Sequence, residues 1–79
     1  MARVLLFGRL ADQAGWRERS VEAGSVAALR QVLSADDASL GEALAGPGVQ
    51  VAIDKAIVRG DAPLAAATEV AFLPPMSGG

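Results

Sequence analysis

Apolar residues recur along the chain with two different periods, and the changes between them mark the elements. Val4-Leu5-Leu6-Phe7 is a short, wholly apolar run stopped by Gly8, the length and setting of a strand with little water on either face. Residues 9–14 have room for one helical turn, closed by Gly15. Residues 16–22 alternate loosely and read as a second, more exposed strand, joined to the first by too long a connection for a two-residue hairpin. Ala23-Gly24-Ser25 interrupts the pattern, and the Ser25 hydroxyl suits a helix N-cap. Val26, Leu29, Val32 and Leu33 then follow at helical spacing, predicting an amphipathic helix over 26–33. Residues 34–37 break it. Asp36 or Asp37 can cap a second short helix over 38–44, with Leu40 and Leu44 at i, i+4, and Gly46-Pro47-Gly48 ends it. Val49, Val51 and Ile53 alternate as a strand, Asp54-Lys55 is a tight turn, and residues 56–58 form a short return strand. After a loop over 59–63, residues 69–73 form the last strand. Pro74-Pro75 stops it, because proline cannot donate to a ladder.

Two strands, helices, then three strands predict an α+β roll with the helices on one sheet face, the element order of the β-grasp (ubiquitin-like) fold. Residues 1–73 form the domain and residues 74–79 a flexible tail. In that fold the first and last strands lie side by side at the sheet centre, matching the two most apolar runs. Period two sends Val4, Leu6, Val70 and Phe72 toward the helices, and Leu5, Phe7, Ala71 and Leu73 to the opposite face. One helix pair cannot cover both faces, so the second is an exposed apolar surface of the kind that meets a partner. Ile57 on the short return strand joins it.

Composition narrows the chemistry. The chain has 79 residues and neither cysteine, histidine nor tyrosine, which removes most catalytic triads, zinc sites and disulfides. Aromatic residues are 4%, so the core is aliphatic, and the seven Lys and Arg are scattered against nine Asp and Glu, with no basic stripe for nucleic acid. No apolar run is long enough for a membrane span, and the N-terminal apolar stretch is too short for a signal peptide, so a cytoplasmic location is expected. Neither glycine-rich phosphate motif is present between Gly8 and Gly15, so any ATP is bound elsewhere. Asp36-Asp37 reads as capping, Arg59-Gly60-Asp61 as a turn, and Trp16 as a partly buried residue at a strand start.

The ending Pro74-Pro75-Met76-Ser77-Gly78-Gly79 is the most informative segment. Pro-Pro leaves the sheet stiff and extended. Met76 to Gly79 span at most about 13 Å, and side-chain-free Gly-Gly can thread a channel too narrow for other residues while exposing its carboxylate.

Phe7-Gly8-Arg9-Leu10 with Gly15, the helix over 26–33, Val51-Ala52-Ile53 and the run from Glu69 to the Phe-x-Pro-Pro-x-Ser-Gly-Gly end resemble the small subunit of molybdopterin synthase over essentially the whole chain. Two turns differ from that family's usual residues: Asp54 stands in place of Asn, and Ala67-Thr68 in place of Gly-Asp. The resemblance implies a sulfur carrier without activity of its own, working in a heterotetramer. A ubiquitin-activating-like enzyme would adenylate the Gly79 carboxylate with ATP, and a sulfur donor protein would convert it to a thiocarboxylate. The tail would then enter the large subunit and give its sulfur to cyclic pyranopterin monophosphate, forming the molybdopterin dithiolene. No cofactor or metal would be bound by this chain. Gly79 and Gly78 would carry the chemistry, while Phe7, Ile57, Leu73, Pro74, Pro75, Met76 and Ser77 would contact the partner. The rivals are the sulfur carrier of thiamin thiazole synthesis, a ubiquitin-like modifier of lysines, and a plain interaction domain.

Overall fold

The structure is a computed structural model that describes residues 1–75; Met76, Ser77, Gly78 and Gly79 lie outside the described residues. The elements run β1 (Ala2–Leu6), α1 (Arg9–Ala14), β2 (Glu18–Val21), α2 (Val26–Asp36), α3 (Ala38–Leu44), β3 (Gln50–Ile53), β4 (Ala56–Val58) and β5 (Glu69–Leu73). Among the described residues five strands form one mixed sheet in the order β2-β1-β5-β3-β4. Among the described residues only β1 and β5 pair in parallel, with Leu5 opposite Ala71 and Leu6 opposite Phe72. This is the β-grasp, ubiquitin-like fold.

The local reasons are those of the sequence, with two differences. The Ser25 hydroxyl caps α2 by accepting the Ala28 N–H at 3.1 Å. That helix runs on to Asp36, past the expected break, because Ser34, Ala35 and Asp36 keep helical geometry and Asp37 does the punctuating. Asp37 Oδ1 accepts the Leu40 N–H, so it is the N-cap of α3. Val32 is exposed, whereas Val26, Leu29 and Leu33 are buried. The stripe therefore follows i, i+3, i+7, and Val32 falls on its solvent side.

Val4, Leu6, Val70 and Phe72 form the inner sheet face and share one core with Leu10, Val26, Leu29, Leu33, Leu40 and Leu44. Phe72 is fully buried, and the Arg30 guanidinium lies 5.4 Å from its ring centroid. Truncating Phe72 to alanine is expected to cost about 3–5 kcal/mol, and truncating Leu6 about 2–5 kcal/mol. Chemical denaturation of each variant is the check.

The two turns that depart from the resembled family are both built on left-handed backbone. Asp54 (φ 47°) and Lys55 (φ 73°) close the two-residue β3–β4 hairpin, and positive φ at both central residues is what that turn demands. Asp54 also exchanges hydrogen bonds with Glu69. Its N–H donates to the Glu69 carbonyl at 2.9 Å, and its Oδ1 accepts the Glu69 N–H at 3.0 Å. Ala67 has φ 66° just before β5. An L-residue there carries a steric cost that glycine avoids. Ala67→Gly is therefore expected to stabilise the domain by about 0.5–1 kcal/mol, read as a rise in Tm of a few degrees. Beside it Thr68, buried, accepts the Ala65 N–H on its hydroxyl.

Candidate functional site

The outer sheet face is built by the alternate residues of four strands. Leu5 on β1, Ala71 on β5, Ala52 on β3 and Ile57 on β4 lie in one cross-strand row. Leu73, paired with Gln50, and Phe7, just past the end of β1, lie beyond that row toward the carboxyl end of β5. Phe7 is 43% and Ile57 50% exposed, large values for apolar side chains of their size. Leu5 and Leu73 are half-buried, and the two alanines between them are buried. At one edge stands an exposed ion pair between Arg3 Nε and Glu18 Oε2 at 2.6 Å. Such a pair adds little stability in water; its effect here is to make that rim polar.

Beyond Leu73 the chain does not leave the domain at once. The Phe7 N–H donates to the Phe72 carbonyl at 3.3 Å, so the chain around Phe7 stays paired to the last strand. Pro74 then lies against Gly8, and Pro75 against Gly48. A β-carbon on Gly8 would stand 3.1 Å from Pro74 Cγ, and one on Gly48 2.7 Å from Pro75 Cβ. Both glycines have positive φ, 56° and 81°. They come from distant loops, Gly8 from the β1–α1 junction and Gly48 from the α3–β3 loop, and meet at the root of the tail. Next to Pro75, Arg9, Leu10, Gln13, Ala43 and Pro47 line a groove of about 320 Å3. A larger hollow of about 480 Å3 between α2 and α3 shares no lining residue with the tail root or the outer face.

The residues of the site therefore divide into three groups. Phe7, Leu73 and Pro74 gather around the end of the central β1–β5 pair, with Pro75 following, and Ile57 occupies the far end of the same face on β4. Met76, Ser77, Gly78 and Gly79, which include both residues expected to carry the chemistry, lie outside the described residues. The third group was missed: Gly8 and Gly48, read only as chain punctuation. A signal was available for each. Gly8 follows the strand that neighbours β5, and Gly46-Pro47-Gly48 holds more breakers than ending α3 needs. Trp16 and the Arg-Gly-Asp turn serve structure. The Arg19 guanidinium lies over the Trp16 ring at 4.5 Å and bonds Asp36, and Asp61 Oδ1 accepts the Ala27 N–H in the first turn of α2.

Residues 4–79 match the ThiS family. The chain belongs to that family, whose fold is the ubiquitin-like sulfur-carrier fold. This ThiS-family protein is also similar to the crystal structure of SAMP1 from Haloferax volcanii, with 25% identity over 99% of this chain and 98% of that one, at a TM-score of 0.80. It shares its fold with the solution structure of the small archaeal modifier protein 1 from Methanosarcina acetivorans, at 21% identity, 99% and 95% coverage and a TM-score of 0.86. No curated protein sequence matches it significantly. Both structural relatives are SAMP1 proteins, the second named in full as a small archaeal modifier protein, and neither is a molybdopterin synthase subunit by name. The chain is a small protein of the ubiquitin-like sulfur-carrier type.

Proposed function

We propose that this ThiS-family protein is the sulfur-carrying subunit of molybdopterin synthase. The observation that carries the reading is the tail root. Pro74 and Pro75 lie against Gly8 and Gly48 of the body, and Leu73 follows the strand beside Phe7, so a partner that docks on the outer face meets the root of the tail at a set place. The Phe-x-Pro-Pro-x-Ser-Gly-Gly ending supports the molybdopterin branch over the thiazole branch. In this reading a separate adenylating enzyme activates the Gly79 carboxylate with ATP, and a sulfur donor replaces the adenylate to leave a thiocarboxylate. The large subunit then takes that sulfur into cyclic pyranopterin monophosphate.

The likeness to SAMP1 favours a second reading, a modifier that joins its C-terminus to lysines of other proteins. The two diverge at the nucleophile that meets activated Gly79, a sulfur or an amine. Incubating the thiocarboxylated protein with the large subunit and cyclic pyranopterin monophosphate tests the first. Release of a dithiolene pterin is the expected result. Isopeptide conjugates with no pterin product would move the assignment to the modifier.

A further inference from the structure

The geometry points to Gly8 and Gly48 as positioning residues that seat Pro74-Pro75 and thereby set the direction in which the sulfur-bearing tail leaves the domain. The inference rests on the sulfur-carrier reading for its consequence, but the seat itself is a property of this chain alone.

Three observations carry it. First, the contact at Gly48 is too close for a β-carbon unless something shifts, and the one at Gly8 is tight. A β-carbon at Gly48 would come within 2.7 Å of Pro75 Cβ and 3.6 Å of its Cα, and one at Gly8 within 3.1 Å of Pro74 Cγ. The Gly48 contact is with atoms at the stiff, backbone end of a proline, so it cannot be relieved by swinging a side chain aside. Second, each glycine holds one of two consecutive prolines. A single contact would leave the chain free to pivot, whereas two on successive rigid residues fix both position and heading. Third, the glycines belong to the domain body on opposite sides of β5, where Gly8 follows β1 and Gly48 precedes β3, the two strands paired with β5. The seat is thus tied to the two strands that also build the outer face, and the heading of the tail is referred to the docking surface.

The consequence is kinetic. Beyond Pro75 only four residues separate the seat from the terminal carboxylate, a reach of at most about 13 Å. A shift of the root moves the point from which those four residues must reach the reacting carbon, and misplacement by about 1 Å can lower a rate by about 100-fold. The outer face is untouched by a substitution at Gly48, so turnover falls while affinity for the partner does not.

Two further glycines supply the control. Gly15 and Gly60 also have positive φ, 84° and 74°, but a β-carbon on either meets nothing within 4 Å. Gly15→Ala and Gly60→Ala therefore add the backbone strain of an L-residue without disturbing the tail root. The test compares Gly48→Ala with Gly60→Ala in sulfur transfer from pre-formed thiocarboxylate, at a temperature where both are folded. Gly48→Ala is expected to lose about 10- to 100-fold in kcat with the partner's apparent affinity retained, and Gly60→Ala to retain both. Equal kcat in the two variants overturns the positioning role. A second measurement needs no partner and no sulfur. Amide spectra are compared for the full chain, a chain ending at Pro75 and a chain ending at Leu73. The seat predicts that Gly8 and Gly48 keep their shifts in the first truncation and move in the second, while Gly15 and Gly60 stay in place. Unmoved Gly8 and Gly48 amides in the chain ending at Leu73 overturn the seat. If the wild-type protein gives the pterin no sulfur, the proposed function fails, and the amide spectra still decide the seat.

Discussion

A chain lacking Gly79, or carrying one additional residue after it, is expected to take up no sulfur while keeping a native fold. Adenylation acts on a terminal carboxylate, and an appended residue moves that group beyond the position at which the activating enzyme reads it. Deletion shortens the reach from the Pro75 seat by about 3.3 Å and leaves Gly78 as the end. Neither change touches the core, which is complete by Phe72 and lies within residues 2–72. Gly78→Val is expected to fail as well, because a β-branched side chain widens and stiffens a segment that must thread a narrow channel. Intact-mass spectrometry after incubation with the activating enzyme, ATP and a sulfur donor reads loading, and circular dichroism reads the fold. Full loading of the extended chain would contradict the role given to the terminus.

Phe7→Ala and Leu73→Ala are expected to weaken binding of the large subunit by about 30-fold or more each, corresponding to at least ~2 kcal/mol for an apolar anchor near an interface centre. The two side chains lie together at the carboxyl end of β5, next to the tail root, and Phe7 is 43% exposed in the free protein. An aromatic left that open contributes modestly to the domain core, so both variants are expected to keep a cooperative thermal transition near that of the wild type. Titration calorimetry measures the binding. Folded variants that bind as tightly as the wild type would remove Phe7 and Leu73 from the interface.

Much of the fold is legible in the order of apolar runs. The β-grasp order puts β1 and β5 side by side at the sheet centre, and the two most apolar runs match that placement, because a strand with little water on either face reads as continuous hydrophobicity. Period two likewise placed Val4, Leu6, Val70 and Phe72 inside. Val32 shows the limit: beside Leu33 at a helical period it reads as core, and only the packing angle of α2 decides which of two adjacent apolar residues turns outward. The continuation of α2 through Ser34, Ala35 and Asp36 was hidden for a related reason, since two adjacent aspartates can each cap and only the backbone shows that Asp37 does.

The candidate site was legible in part. Its chemistry-bearing end is a linear motif that a single chain displays openly. Its seat is not linear, because Gly8, Gly48 and Pro74-Pro75 are brought together by a sheet in which first and last strands are neighbours. A glycine looks the same in sequence whether it ends a helix or makes room for another segment. Ala67 is a case where the sequence pointed the right way: glycine is the usual residue there in the resembled family, and the backbone has φ 66°.

If the C-terminus of this chain carries sulfur to the pterin, intact-mass spectrometry through one full cycle will record it. The loaded chain is expected to gain the mass difference between a sulfur and an oxygen atom. It then returns to its starting mass when the large subunit and cyclic pyranopterin monophosphate are added, with a dithiolene pterin released in step. A chain that never gains that mass, and instead accumulates as stable isopeptide conjugates on other proteins, would contradict it.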